Sequence, residues 1–443
     1  MLMEDTCKTC FARKDYWNND GGVIPHSDYD IAPITTKVYN IHMIKRMIEK
    51  KLFELLGYYP VVVLTGPRQS GKTTLLKSLF PDREYFNLEN PSDLALLETD
   101  PVSFIELHSK NIIIDEAQKF PQLFSYIQTS VDNDRESGRI ILSGSQNILL
   151  SETISQTLAG RAAYCELLPL TQTELYNASI LRLNPDIPDL FENMFKGSYP
   201  GQRSDEIPPD IFFNQYIATY VERDVRSIKN VSDLATFRSF IRILAGRIGQ
   251  LLDYTSLAND TGVSPGTIKN WISILEASYI VKILRPLHNN FGKRYIKSPK
   301  IYFLDTGLAC RLLGIKQSSE IESHYLRGNL FENYIIAELH KEISSRNIDT
   351  EMFFYRDAKQ NEVDLILRDS DRDSAVEIKS SSGFSSSMLA GLHFWKNLSA
   401  QKIKSHSPKR EIAMFLIYAG ETETVGDIKL LPWNSVYKDL NIK

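Results

Sequence analysis

Cysteine is scarce in this sequence, four among 443 residues, which excludes a disulfide-stapled scaffold of the kind that thin-cored secreted domains need. Cys7 and Cys10 form a C-x-x-C pair. A structural zinc ion takes four ligands, however, and no second pair follows at finger spacing. Cys165 and Cys310 stand alone, and His26 and His42 are too isolated to complete a ligand set. Basic charge is not in excess either: 51 lysines and arginines face 55 acidic residues, a net charge of −4. Contact with nucleic acid would have to use local basic patches rather than the whole surface. No apolar run reaches the roughly 18 to 20 residues that cross a bilayer, and the polar, acid-containing start lacks the basic flank and apolar stretch of a secretory signal. The expected address is the cytoplasm, with no membrane partner.

What the chain does have is length and an ordinary globular composition. With 42% hydrophobic and 24% charged residues it is not disordered throughout, and at roughly 150 residues per domain it has room for about three domains. Residues 1–40 read as an irregular extension, polar and without a lasting period. From Ile41, the apolar residues Ile44, Met47, Ile48, Leu52 and Leu55 recur at helical spacing, and Gly57 is expected to close that helix. Short apolar runs follow at Val61–Leu64, Asn111–Ile114 and Ile140–Leu142, separated by helical stretches. This rhythm predicts an α/β fold whose parallel strands are buried on both faces.

Between the first run and the next helical stretch stand Gly66, Pro67, Arg68, Gln69, Ser70, Gly71, Lys72 and Thr73, which spell G-x-x-x-x-G-K-S/T without a mismatch, with Thr74 following as a further candidate for nucleotide contact. Glycine allows the backbone to curl consecutive N–H groups around a phosphate, at the positive end of the following helix. Lys72 would neutralise the β and γ phosphates of ATP, and the Thr73 hydroxyl would ligate Mg²⁺. The second strand ends in Asp115-Glu116. Asp115 suits the metal, and Glu116 is placed to polarise an attacking water, so the pair argues for hydrolysis as well as binding. The third strand ends in Ser143-Gly144-Ser145-Gln146. Two readings stand for Ser145, a sensor of the γ phosphate and a cap on the next helix.

The loop at 66–73, the Asp115-Glu116 pair, the stretch Leu142–Gln146 and the run Leu158-Ala159-Gly160-Arg161 together resemble the bacterial and archaeal AAA+-type ATPases that carry an uncharacterised C-terminal domain. The likeness extends from about Ile41 to near the end. It implies that Arg161 contacts nucleotide or a neighbouring subunit; AAA+ relatives often complete their ATP sites across subunit interfaces, so the resemblance allows a homo-oligomer. Arg223 is also recurrent in such proteins, without a role to assign.

Between Leu251 and Ile283 the chain reads as a helix-turn-helix. Leu257 and Ala258 face inward, Gly262 makes the turn, Ser264 caps the second helix and Pro265 suits its first position. Ile268, Ile272 and Leu275 follow at i, i+4 and i+7, leaving Thr267, Lys269, Asn270 and Ser273 on other faces, as a recognition helix requires. A strand over Tyr279–Leu284 suits a winged variant. From Ala277 to Lys300 there are six basic residues, Lys282, Arg285, Lys293, Arg294, Lys297 and Lys300, and no acidic one, a source of phosphate contacts to DNA or RNA. Winged helices also serve as protein-binding modules or spacers, and both readings stay open.

Near the end, Asn361–Leu367 and Ser374–Lys379 alternate as strands around a polar turn. A hairpin centred there sets Leu367 opposite Ser374, which brings Asp364 opposite Glu377 with Lys379 on the same face. Two carboxylates beside a lysine suit a divalent cation and an activated water, the equipment for cleaving a phosphodiester. The spacing D-x12-E-x-K resembles the PD-(D/E)xK nuclease signature. That resemblance implies a restriction-endonuclease-like fold with Glu332 as the acid on its first helix; no proline precedes Asp364, and Glu362 falls on the opposite face. The expected layout is an irregular extension at 1–40, a P-loop ATPase domain with helical lid at 41–200, a helical and winged-helix region at 201–295, a nuclease-like α/β domain at 296–425, and a tail at 426–443. In the function expected from it, ATP binding and hydrolysis gate contact with nucleic acid, or else nucleotide state switches the docking of a protein partner while the C-terminal carboxylates do nothing chemical.

Overall fold

The computed structural model describes residues 44–145, 157–182, 185–204, 207–221, 234–287, 297–346, 348–403, 410–435 and 440. The expected extension with Cys7 and Cys10, and the residues His26, His42, Gln146, Arg223, Lys293 and Arg294, lie outside the described residues.

Strands β1 (Val61–Thr65), β2 (Glu84–Asn87), β3 (Ile112–Asp115), β4 (Ile140–Gly144) and β5 (Ala162–Glu166) form a five-stranded parallel sheet in the order β2-β3-β4-β1-β5. Every position of β1, β3 and β4 is buried, because helices cover both faces. Val61, Val63, Ile112, Ile114, Ile140 and Leu142 pack on one side; Val62, Leu64, Ile113 and Ile141 pack on the other. Parallel strands end on one common edge, and that edge collects Thr65, Asp115, Gly144 and Glu166. The edge strands β2 and β5 carry exposed or half-buried polar positions and so give no continuous apolar run.

The helix expected from Ile41 starts later, at Glu49, and runs to Tyr58, with Gly57 inside its last turn rather than beyond it. Ile44 leaves the helical face to pack with Leu170 and Leu175, while Ile48 and Leu52 go under the sheet. The reason is tertiary: residues before Ile48 are held by hydrogen bonds from Arg46 and the Met47 backbone to distant partners.

Eight further strands build a mixed sheet: β6 (Val281–Pro286), β7 (Lys300–Phe303), β8 (Glu351–Arg356), β9 (Glu362–Arg368), β10 (Arg372–Lys379), β11 (Glu411–Tyr418), β12 (Glu423–Val425) and β13 (Ile428–Pro432), in the order β12-β13-β11-β10-β9-β8-β6-β7. Strand β6 is antiparallel to β7 and parallel to β8, so strands from both sides of position 295 share one sheet. A single core cluster joins residues from Leu190 to Leu440, including the faces of the helices Leu234–Ala245, Pro265–Ala277 and Arg327–Arg346.

The helix Tyr254–Thr261 begins at Asp253, whose side chain accepts from the Thr255 and Ser256 amides, and stops at Gly262, which takes a φ of 72° that favours glycine. The Ser264 hydroxyl caps Pro265–Ala277 through the Thr267 amide at 3.1 Å. Leu257, Ala258, Ile268, Ile272 and Leu275 are buried, with Trp271 and Ile274 beside them. Lys269, Asn270, Ser273 and Arg285 are exposed, and Thr267 is half-buried. Lys300 corrects the expected basic stretch. It is 2% exposed and paired with two glutamates, so it is withdrawn from phosphate contact.

Candidate functional site

The loop after β1 is shaped by its glycines. Gly66 has a φ of 150°, and a β-carbon there would lie 2.1 Å from the Leu167 carbonyl oxygen, so only glycine fits. Gly71, with a φ of 95°, stands at the N-cap of the helix Lys72–Leu79 and offers no side-chain cap, which leaves that helix's first amides for another acceptor. Lys72 is 6% exposed, and its Nζ donates to the Gly66 and Pro67 carbonyls at 2.9 Å each. Thr73 and Thr74 are exposed beyond it, as is Gln69, and Arg68 pairs with Glu89 at 3.4 Å. The Ser70 hydroxyl is buried with no hydrogen-bond partner.

Asp115, at the end of β3, is 2% exposed. Its carboxylate accepts from Thr73 Oγ1 at 2.6 Å, from the Tyr85 hydroxyl at 2.6 Å, and from Ser143. Burial alone raises its pKa, but the donors Ser143, Thr73 and Tyr85 and the charge of Lys72 outweigh burial and hold the carboxyl below its ordinary range. Glu116 turns out of the strand through a left-handed backbone, φ 55°, a conformation that costs a non-glycine residue about 1–3 kcal/mol. Its carboxylate accepts from Ser145 Oγ at 3.1 Å and from Gln118. The sequence-predicted Lys72, Thr73, Asp115, Glu116 and Ser145 therefore stand together at the carboxyl edge of the sheet.

An uncapped helix start, a buried lysine, a hydroxyl touching a buried carboxylate and a cradle closed to any β-carbon suit a magnesium-bound nucleoside triphosphate. Tyr85 and Ser143 escaped the sequence reading: Tyr85 sits on an edge strand without an apolar run, and Ser143 is masked by the more conspicuous Ser145.

Arg161 is a correction for its own subunit. Its carbonyl accepts from the Val61 amide at the start of β1, whereas the loop follows the end of β1, about 13 Å away at 3.3 Å per residue. Its guanidinium pairs with Asp132 through bonds of 2.6 and 2.9 Å.

In the second sheet, β9 and β10 pair in the predicted register, with Leu367 opposite Ser374 and Leu365 opposite Val376. Asp364 Oδ2 accepts from Lys379 Nζ at 2.8 Å and from the Ile378 amide at 2.9 Å, and Lys379 Nζ reaches Glu377 Oε2 at 2.5 Å. Glu332, on the helix Arg327–Arg346, accepts from Lys300 Nζ at 3.0 Å and from the Tyr302 hydroxyl at 2.5 Å. Lys300 also holds Glu362 at 2.6 Å, drawing into the cluster a residue expected on the opposite face. The register between β8 and β9 shifts by one residue between the Phe353–Ile366 and Tyr355–Val363 pairs. That irregularity lies between Val363 and Ile366. Glu362, two residues before Asp364, shares its face by ordinary strand alternation, so the expectation of an opposite face misread the period.

Asp364 and Glu377 are 8% and 5% exposed, and a β-carbon at Gly391 would lie 2.1 Å from Glu377 Oε1, so the helix Ala390–Ile403 closes over them. Burial raises Asp364, but Lys379 and Lys300 outweigh it and hold that carboxyl low; burial and the Asp364 charge push Glu377 up to about 9. Among the described residues no three His, Cys, Asp or Glu side chains form a ready cage for a metal ion. The two carboxylates are instead tied to a lysine, and no chemical step through a metal is assigned to them.

An uncharacterised protein of Mycobacterium tuberculosis is 31% identical over 371 residues, covering 83% of this chain and 80% of the relative. The chain belongs to its family. An uncharacterised protein of Methanocaldococcus jannaschii is 26% identical over 356 residues, 73% of this chain and 75% of the relative. Residues 58–176 match an AAA domain, 187–319 a domain of unknown function (DUF8612), and 327–436 another (DUF4143). A solved Walker-type ATPase of Pyrococcus abyssi is similar at 15% identity and a TM-score of 0.41, covering 60% of this chain and 94% of that one. The N-terminal sheet has the AAA-type P-loop ATPase fold. No described helix is long and apolar enough to cross a membrane.

Proposed function

We propose that this protein binds and hydrolyses ATP at the loop Gly66–Thr73 and uses the nucleotide state to control its C-terminal body. The observation that carries the reading is the 2.6 Å hydrogen bond between Thr73 Oγ1 and Asp115 Oδ2. It joins the two groups that would hold Mg²⁺, one from the loop and one from the neighbouring strand. Bound there, Mg²⁺ supplies Lewis-acid neutralisation of the β and γ phosphate oxygens. Lys72 exchanges its loop carbonyls for phosphate oxygens, and the amides at the helix start receive the rest of the charge. Glu116 accepts a proton from the attacking water as the bond between the γ phosphorus and the bridging oxygen breaks, giving ADP and phosphate. Ser145 and Gln118 hold the Glu116 carboxylate in place.

Contacts between the ATPase sheet and the C-terminal body support control by nucleotide. Thr65, immediately before the loop, bonds through Oγ1 to the Tyr279 hydroxyl at 2.8 Å. The helix Arg327–Arg346 receives the Gln172 amide on Glu338 at 2.9 Å, and its Lys341 donates to the Leu170 carbonyl at 2.9 Å. That helix also carries Glu332. The exposed side chains Lys269, Asn270 and Arg285, with Thr267 at the helix start, form in this reading a winged-helix face for a polyanion such as DNA or RNA. Arg161 serves a neighbouring subunit's nucleotide in a homo-oligomer.

A second reading concerns Glu332, Asp364, Glu377 and Lys379. Their convergence supports a nuclease-like site, while the lysine ties and the burial of the carboxylates favour a chemically silent cluster in a docking switch. Magnesium-dependent cleavage of DNA or RNA that Asp364→Asn abolishes, with ATP turnover retained, would select the nuclease.

The ATP reading itself is tested by phosphate release. Wild type is expected to release phosphate only with Mg²⁺, and Lys72→Ala to lower the rate by about 10²-fold or more while the protein stays folded. Equal rates in the two proteins would contradict the assignment.

A further inference from the structure

Arg46 lies outside the matched AAA segment, fifteen residues before β1 begins, yet its guanidinium is the point where three separate stretches of chain meet. It is 5% exposed. Nη1 donates to the Ser70 carbonyl at 2.8 Å, Nη2 to the Leu168 carbonyl at 2.6 Å, and Nε to Glu174 Oε1 at 3.1 Å. Glu174 is fixed in turn. It is 1% exposed, it takes the Met47 amide on Oε1 at 2.8 Å, and it closes a capping box with Thr171.

The Ser70 carbonyl belongs to the same peptide unit as the Gly71 N–H, inside the phosphate loop. A trans peptide carries its C=O and N–H in opposite directions. Holding the carbonyl from one side therefore turns the Gly71 N–H to the other. Without a side chain and with a φ of 95°, Gly71 has little of its own to stop that peptide from rotating. A β-carbon on Gly71 would stand 3.8 Å from Arg46 Nη1, so the guanidinium lies directly against the turn.

We propose that Arg46 is a positioning residue for the ATP site: it clamps the Ser70–Gly71 peptide so that the Gly71 amide is presented to phosphate before nucleotide arrives. The fork geometry is what qualifies arginine, since its donors sit on three separate nitrogens and reach two carbonyls and a carboxylate from spaced positions, whereas a lysine's donors all share one nitrogen. The clamp rests on the ATP reading above and adds a residue from outside the loop. It acts on the bound phosphates and leaves Asp115 and Glu116 untouched, so its loss is expected to weaken binding more than turnover at saturation.

The test uses the full chain and equilibrium binding of ATP with Mg²⁺, together with KM and kcat, for wild type, Arg46→Met, Arg46→Lys and Lys72→Ala. Arg46→Met is expected to raise Kd and KM about 10- to 100-fold with kcat within about threefold of wild type. Arg46→Lys retains the ion pair with Glu174 and is expected to fall between them, which keeps the test decisive if the methionine variant does not fold. Unchanged affinity in the Arg46 variants, with Lys72→Ala weakened, overturns the clamp and leaves the ATP site standing. A fall in kcat and thermal stability at constant KM makes Arg46 structural only and also overturns it. Unchanged affinity in Lys72→Ala overturns the ATP reading, and the clamp with it.

Discussion

Glu116→Gln is expected to lower ATP turnover by about 10²- to 10⁴-fold, the usual worth of a positioned general base, while ATP binding stays near the wild-type level. The substitution keeps the shape of the side chain and its acceptor for Ser145 and Gln118, but it removes the lone pair that takes the proton from water. The left-handed backbone at this position, φ 55°, aims the carboxylate away from the strand path that Asp115 follows. This separates the two acids into a metal partner and a base, although they are neighbours in sequence. Single-turnover phosphate release read beside equilibrium binding checks the outcome. A parallel loss of both would mean that Glu116 holds the site together instead of acting on water.

Lys300→Met is expected to destabilise the folded chain by about 3–5 kcal/mol at pH 8, the cost of leaving buried charges without their partner. Lys300 is 2% exposed and pairs with Glu332 and Glu362. Burial on its own would lower its pKa, but Glu332, Asp364 and Glu362 outweigh burial and raise it. Without that cation the folded-state pKa of Glu332, already raised by burial, rises further, and Asp364 loses one of the two cations that hold its carboxyl low. A carboxyl whose folded pKa lies above its unfolded value binds more protons in the folded state, and such a chain loses stability as pH rises between the two values. The deficit relative to wild type is thus expected to be largest near pH 8 and to shrink toward pH 5. Denaturant melts at the two pH values read it, and a deficit independent of pH would mean that Lys300 contributes packing alone.

The two sheets were legible from sequence to different depths. The candidate phosphate loop of the AAA-type fold could be read because phosphate chemistry needs its residue types contiguous: glycine, lysine and threonine within one loop, an aspartate at a strand end. The interior strands β1, β3 and β4 were legible because a strand buried on both faces has to be apolar throughout. Edge strands β2 and β5 meet no such demand, and Tyr85 went unseen with β2. The hairpin register was legible because alternation and a polar turn fix it, and the same alternation sets Glu362 on the face of Asp364, two residues on, where Lys300 reaches it, so placing it on the opposite face was a misreading of the period. Lys300 itself read as a basic surface residue, since nothing local says that a lysine will be surrounded by carboxylates brought from a distant helix and strand. Arg46 was invisible for the same reason, its partners lying 24, 122 and 128 residues away. Arg161 shows the converse: recurrence in related proteins marked it, but recurrence carries no position, and the start of β1 is the wrong end of the sheet for its own nucleotide.

The most direct test of the central claim is the affinity for ATP measured with and without Mg²⁺, in wild type and in Thr73→Ala. If Thr73 and Asp115 together hold the metal against the phosphates, Mg²⁺ tightens binding by about tenfold or more in wild type and by much less in the variant. Affinity that ignores Mg²⁺, or that responds to it equally in both proteins, would contradict the account.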